Sequence, residues 1–236
     1  MSEPIGSPAV SVVVPVFNEA ENISILQSEL DAALTGLDHE IVFVDDGSSD
    51  GSAEKIKNAV NVRVIRFEKN AGQSAALYAG IRAARGETIV TIDSDLQNDP
   101  ADIPRLLSEI LRGADLACGY RAKRKDTITK RLASRIANFV RSRFTKDYVR
   151  DTGCTLKAMR RECADALVPF KGMHRFIPAL IRGAGYRLVE MPVNHRPRRF
   201  GHTKYGFGSR ALQATIDMFG VRWLLERRLN YKIRDS

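Results

Sequence analysis

Cysteine is scarce in this 236-residue chain, with three in all, at positions 118, 154 and 163. None fall at the short spacings that hold zinc, and three are too few for a disulfide framework, so they read as reduced, mostly buried small side chains. Apolar runs are short as well. None reaches the roughly 18 residues a transmembrane helix requires, and Met1 to Pro8 lacks the basic and apolar regions of a secretory signal, so the chain is expected to stay in the cytoplasm. Helix-turn-helix, zinc and ribonucleoprotein signatures are also absent, which argues against a nucleic-acid-binding protein in spite of a net charge of +9.

What is present is a rhythm. Val10 to Val16 is a continuous apolar run that reads as a buried strand, followed by a helical stripe of Ile23, Leu26, Leu30 and Leu34. The order then repeats: strand Glu40 to Val44, helix from about Ser52, strand Val62 to Phe67, helix from about Gly72 to Arg85, strand Thr88 to Ile92, helix from about Asp102 to Arg112, strand Leu116 to Gly119. Such alternation predicts an α/β domain with a mostly parallel central sheet and helices on both faces. Beyond Tyr120 the pattern is less regular. It gives a basic helical stretch near 127–144, a short strand at Thr155 to Met159, helices near Glu162 to Leu167 and Arg175 to Arg182, and a strand at Leu188 to Val193. A final helix, Ser209 to Leu229, carries Leu212, Ile216, Phe219, Trp223 and Leu224 on one side with Arg222, Arg227 and Arg228 nearby. That pattern suits either packing on the domain or lying in a membrane interface.

The positive charge is localised. Residues 121–150 hold eleven Lys or Arg against two Asp, an excess of nine that equals that of the whole chain. A second basic loop, Asn194 to Gly208, has four Lys or Arg, two His and no acid. Charge so concentrated suits an anionic partner such as a membrane surface or a phosphorylated substrate.

The acids cluster differently, at strand ends. Asp93 and Asp95 close the fourth strand, Asp45 and Asp46 the second, and Pro15, Phe17 and Glu19 follow the first. Strand carboxyl ends open onto the crevice where α/β sheets bind ligands. Two Asp held so close repel unless a cation lies between them, and hard cations such as Mg²⁺ or Mn²⁺ usually share such sites with nucleotide phosphates. Asp93 and Asp95 alone would also fit helix caps. Three adjacent acidic strand ends are harder to explain by capping.

Pro15-Val-Phe-Asn-Glu19, Val44-Asp-Asp-Gly-Ser48, Asn70-Ala-Gly-Gln73 and Asp93-Ser-Asp-Leu-Gln97 together resemble the family 2 inverting glycosyltransferases of the GT-A fold. Gly119-Tyr-Arg121, Lys130-Arg-Leu-Ala-Ser134, Asp151-Thr-Gly-Cys154 and Arg199-Phe-Gly-His-Thr-Lys-Tyr205 are similar to the branch that uses a polyprenyl phosphate acceptor, which includes dolichol-phosphate mannosyltransferase and the bacterial undecaprenyl-phosphate sugar transferases. The resemblance covers about residues 9–210, as a nucleotide-sugar half (9–120) and an acceptor half (121–210), with an amphipathic helix in 211–236.

The resemblance implies that Pro15, Phe17, Glu19 and Asp45 hold the base and ribose of a UDP- or GDP-sugar, with Asp46 and Gln73 also among the residues that bind the donor. Phe17 stands where Tyr is more usual. Asp93, Asp95 and Gln97 would bind Mg²⁺ or Mn²⁺ with the diphosphate, although Gln97 equally fits a helix-flanking polar residue. Arg121, Arg131, Ser134, Arg199 and Lys204 would surround the donor and acceptor phosphates, with Lys130 an alternative to Arg131. Asp151 fits either a base or orienting group, or a turn-forming Asp. The implied activity is sugar transfer to polyprenyl phosphate at the inner face of the membrane, in envelope glycolipid or lipopolysaccharide assembly. Attachment would be peripheral or supplied by an anchoring partner protein. A soluble or glycolipid acceptor on the same fold is the alternative.

Overall fold

The computed structural model describes residues 7–122, 141–200 and 207–229, with the backbone alone for 207–212. Seven strands share one sheet: β1 (Val10–Val16), β2 (His39–Asp45), β3 (Val62–Arg66), β4 (Thr88–Thr91), β5 (Leu116–Arg121), β6 (Lys157–Arg160) and β7 (Leu188–Val193). Their spatial order is β3-β2-β1-β4-β6-β5-β7. All neighbours run parallel except β6, which is antiparallel to both β4 and β5. The predicted α/β class holds, and both halves of the chain contribute to the same sheet. The reversed strand, which periodicity does not encode, joins them.

The helices bounded within the described residues are α1 (Ala20–Ala33), α2 (Gln73–Ala83), α3 (Ile103–Leu111), α4 (Ile177–Gly183) and α5 (Phe207–Glu226). Strand residues alternate between faces. Val12, Val14, Ile41, Phe43 and Val90 meet Ile23, Leu26 and Leu30 of α1 and Ile103, Leu106 and Ile110 of α3. Val13, Val42, Val44 and Ile89 meet Leu77 and Ile81 of α2, Leu180 of α4, and Met218 and Val221 of α5. Gly80 brings α2 close to the sheet, since a Cβ there would sit 2.3 Å from Val13 Cγ1.

Two expected helices are of 3₁₀ rather than α type. The one from Ser52 is a single 3₁₀ turn, Ala53–Lys55. Of the apolar residues only Ala53 and Ile56 bury there, too little for an apolar stripe, and the segment is pinned to α1 by Gln27, whose side chain pairs with both the N–H and the C=O of Lys57. The other, near Glu162, is a 3₁₀ helix at Arg161–Ala166. Of the basic stretch 127–144, only the end is described, within a helical run at 141–145.

The end of the sheet opposite the acidic loops is held by a buried carboxylate. Glu40 Oε1 accepts from Ser11 Oγ at 2.7 Å and from the Arg85 N–H at 2.7 Å, and Oε2 accepts from Arg63 at 3.0 Å. Burial pushes the Glu40 carboxyl up, but these donors outweigh it and hold it below its ordinary 4.5. The stabilisation is therefore complete above that value and is lost as pH falls through the lower folded one. Glu40→Gln should cost about 1–3 kcal/mol at neutral pH and make stability less dependent on acid. Denaturant unfolding at pH 7 and pH 4 measures both, and equal losses at the two pH values would contradict the linkage.

Candidate functional site

The strand ends converge as the sequence suggests. β4 ends at Thr91, and the chain passes through Asp93 and Asp95 into a turn where Leu96 adopts φ +60° while buried in the core. A left-handed leucine is a strained position of the kind found at functional sites. Asp95 Oδ1 accepts from the Gln97 N–H at 3.1 Å, so Gln97 here shapes the turn through its backbone. At the end of β1, Glu19 is buried and accepts from Asn22 Nδ2 at 2.5 Å. Pro15 is buried within β1 and Phe17 half-buried just past its end. At β2, Asp45 Oδ1 accepts from the Ser48 N–H at 3.2 Å.

Asp46 is placed differently from a ribose ligand. Its carboxylate accepts from Ala71 N–H at 2.7 Å, Gly72 N–H at 2.9 Å and Asn70 Nδ2 at 2.9 Å, which fixes the loop leading into α2. That loop delivers Gln73, whose Nε2 donates to Asp93 Oδ1 at 2.8 Å.

The second half supplies cations. Arg121, at the end of β5, forks onto Asp151: Nε to Oδ2 at 2.6 Å and Nη2 to Oδ1 at 2.8 Å, with the Arg121 N–H also donating to Oδ2. Lys157 of β6 is fully buried and donates to the Cys154 carbonyl. Its charge favours the ionised forms of Asp93 and Asp151. Thr91 Oγ1 donates to the Thr155 carbonyl at 2.6 Å, and Asn98 Nδ2 donates to Thr155 Oγ1 at 3.0 Å, so the Asp93 turn and the Asp151 segment are laced together.

The basic loop after β7 closes on the same acids. Arg196 grips Glu29 at 2.7 Å and Asp99 at 2.7 Å, and the Arg196 N–H donates to the Gln97 carbonyl. Arg198 reaches Asp95 Oδ2 at 2.8 Å and lies 3.7 Å from Glu19. Arg199, the residue expected at the phosphates, is solvent-exposed; the arginine at the acids is Arg198. Arg131, Ser134 and Lys204 lie outside the described residues, as does Lys130. Within 121–150 the described cations are not all surface charge. Arg121 and Arg141 are half-buried, Arg141 donating to the Val149 carbonyl at 2.6 Å, whereas Arg143 and Lys146 are exposed.

Burial and the neighbouring Asp95 push the Asp93 carboxyl up to about 6, against the pull of Thr155, Lys157 and Gln73. Such a pair favours a cation. Two carboxylates opening on a crevice form an oxygen-only donor set suited to Mg²⁺ or Mn²⁺ shared with a diphosphate, and Arg198 already takes the place of a positive partner beside Asp95. Among the described residues no three His, Cys, Asp or Glu side chains cluster as a self-sufficient metal site.

The model of "Glycosyl transferase family 2" matches residues 11–168. The chain belongs to this family. As a family 2 glycosyltransferase it is similar to the dodecaprenyl-phosphate galacturonate synthase of Rhizobium johnstonii, at 37% identity over 99% of this chain and 71% of that protein. It is also similar to the undecaprenyl-phosphate 4-deoxy-4-formamido-L-arabinose transferase of Yersinia enterocolitica, at 39% identity over 87% of this chain. The chain spans 65% of that second relative and 63% of its counterpart in Aeromonas hydrophila. In fold it matches the glucosyl-3-phosphoglycerate synthase of Mycobacterium tuberculosis crystallised with Mn²⁺, UDP-glucose and phosphoglyceric acid, with TM-score 0.71 and 20% identity over 92% of this chain and 80% of that one. The sheet is thus that of a GT-A glycosyltransferase.

Lys157 and Arg198 stand among these candidate side chains although sequence reasoning did not select them. A lysine inside the apolar run Thr155-Leu-Lys-Ala-Met159 is the signal for the first. For the second, three arginines within four residues leave the choice open until the backbone is known. The Arg121 fork and Lys157 outweigh burial and hold the Asp151 carboxyl below its ordinary value, which makes Asp151 a weak proton acceptor and a firm support for Arg121. Asp151→Asn should lower kcat by about tenfold or more, because Arg121 loses its charged partner, while the pH profile of kcat between about 6 and 9 keeps its shape. Loss of an acid limb, the rise of kcat with pH as a base gives up its proton, would identify Asp151 as a base instead.

Proposed function

We propose that this glycosyltransferase moves one sugar from a nucleotide sugar to a polyprenyl phosphate, with inversion at the anomeric carbon. The carrying observation is the juxtaposition of two charge types. Asp93 and Asp95 stand on one side of the crevice, and Arg121, held by Asp151, comes to it from the acceptor half. The names of the relatives in Rhizobium and Yersinia support a lipid phosphate acceptor.

Asp93 and Asp95 would hold a divalent cation, which supplies charge neutralisation for the departing nucleoside diphosphate. Glu19 and Asp45 offer acceptors to the nucleoside, with Phe17 providing an apolar face. Arg121 orients an anionic oxygen, and Asp151 and Lys157 keep that arrangement charged and rigid. A phosphate monoester has a second pKa of about 6, so its oxygen is already mostly deprotonated at neutral pH. That oxygen bonds to the anomeric carbon as the bond from that carbon to the donor's phosphate breaks. The electron pair leaves with the diphosphate, and no proton needs to be taken. Arg198, which bridges Asp95 and Glu19, is placed to exchange its carboxylate contacts for diphosphate oxygens.

We infer also that the protein works on the inner membrane face. Among the described residues no helix is long and apolar enough to cross a membrane. α5 instead has two apolar sides: Met218, Val221, Leu224 and Leu225 pack on the domain, whereas Ile216, Phe219 and Trp223 are more than half exposed. The expected single stripe is therefore divided, with Leu224 on the packed side and the side chain of Leu212 outside the described residues. Exposed Arg143, Lys146, Arg227 and Arg228 accompany the outer side, and each cation near an anionic surface adds about 1 kcal/mol.

Labelled UDP- and GDP-sugars incubated with undecaprenyl phosphate and Mg²⁺ or Mn²⁺ should give label in the organic phase. Chelation, or Asp95→Asn, should reduce that transfer by about a hundredfold or more. Label that never enters lipid from any donor would refute the acceptor, and full activity in D95N would refute the metal role. For the membrane contact, Ile216→Ser with Trp223→Ser should weaken sedimentation with anionic vesicles while leaving the melting temperature within a few degrees, since both side chains are exposed. Undiminished sedimentation would contradict it.

A further inference from the structure

Gln73, which holds Asp93 from one side, also lines a cavity of about 370 Å³. Ser74 of α2, Lys171, His174 and Arg175 of the segment before α4, and Asp217 of α5 complete its principal walls. The size falls in the range of small-ligand sites. Its walls are fixed to one another across the cavity. Ser74 Oγ accepts from the Gly172 N–H at 3.0 Å and pairs with His174 Nδ1 at 2.8 Å. Gly172 has φ +97°, and a Cβ there would stand 2.5 Å from Asp217 Oδ2, so its missing side chain makes room for that acid.

The position follows from connectivity, and rests on the donor reading given above. In a nucleotide sugar the sugar is joined through one oxygen to the distal phosphate, so it must lie directly beside the groups that hold the diphosphate. Gln73 is shared between Asp93 and the cavity, which puts the cavity one side chain away. Its electrostatics are one-sided. Among its described lining residues Lys171 and Arg175 stand against one carboxylate, Asp217, while the acids behind Gly72 and Gln73, Asp46 and Asp93, are already engaged by hydrogen bonds from that wall. Burial pushes the Asp217 carboxyl up, against the pull of Arg175.

We infer that this cavity is the subsite for the donor's sugar and that its cationic lining selects a sugar bearing a carboxylate, a uronate, over the matching neutral hexose. The same chemistry would suit the acceptor's phosphate, and the test separates the two sources. Calorimetry with the full chain and Mn²⁺ compares nucleotide sugars that differ only in carboxylate against hydroxymethyl: UDP-galacturonate with UDP-galactose, UDP-glucuronate with UDP-glucose, and GDP-mannuronate with GDP-mannose. In at least one pair the uronate should bind about tenfold more tightly, as a charge-assisted contact provides. Lys171→Gln and Arg175→Gln should each reduce that ratio several-fold, with UDP and GDP binding as the control for folding. Equal affinity within every pair in the unaltered protein overturns the inference, as does a ratio unchanged in both variants. A raised KM for undecaprenyl phosphate with the donor ratio intact would assign these cations to the acceptor and likewise overturn it. Transfer of neutral sugars to lipid by a protein with no uronate preference would leave the transferase reading standing and remove only this one.

Discussion

Carboxylates gathered at the end of a sheet repel one another, and the site is built around relieving that repulsion. Asp93, Asp95, Glu19 and Asp151 come from two strand ends and one loop. Each has a cation within reach: Lys157 acts on Asp93 and Asp151, Arg121 forks onto Asp151, and Arg198 bridges Asp95 and Glu19. Burial raises the cost of every unpaired charge, which is why these cations are drawn from buried or half-buried positions. Asp93 nevertheless remains pushed up to about 6, so the compensation within the protein is incomplete. A divalent cation arriving with a diphosphate completes it.

The topology makes this arrangement inevitable once β6 is reversed. Because β6 runs antiparallel between β4 and β5, the segment entering it, Asp151 to Leu156, starts at the same edge where β4 and β5 finish. Acids from the first half thereby meet Arg121 and Lys157 from the second. The opposite edge carries a structural carboxylate instead, Glu40, whose donors hold the turn into β4. The division between a stabilising edge and a reactive edge is thus a property of strand direction.

Much of this was legible in the sequence. The apolar runs of β1, β2 and β4 are long and continuous, and the acids behind them fall at the crevice as strand direction requires. What could not be read is which neighbour a polar side chain meets. Asp45 and Asp46 are adjacent, yet one faces the crevice turn and the other fixes the loop before α2. Arg196, Arg198 and Arg199 share a short window, yet Arg196 and Arg198, two residues apart, reach different acids while Arg199 faces solvent. The helix predicted after Ser52 failed for a related reason: Ser52 Oγ and Asp50 Oδ2 accept from the backbone N–H groups of Glu19 and Ala20 at the start of α1, a tertiary demand that overrides local propensity.

The central claim is that Asp93 and Asp95 form a cation site completed by the donor's diphosphate. Mn²⁺ binding followed by electron paramagnetic resonance tests it directly, with and without UDP or GDP, in the unaltered protein and in D95N. The account predicts weak binding of Mn²⁺ alone, markedly tighter binding with a nucleoside diphosphate, and loss of that enhancement in D95N. Enhancement that survives in D95N would place the cation elsewhere and contradict the account.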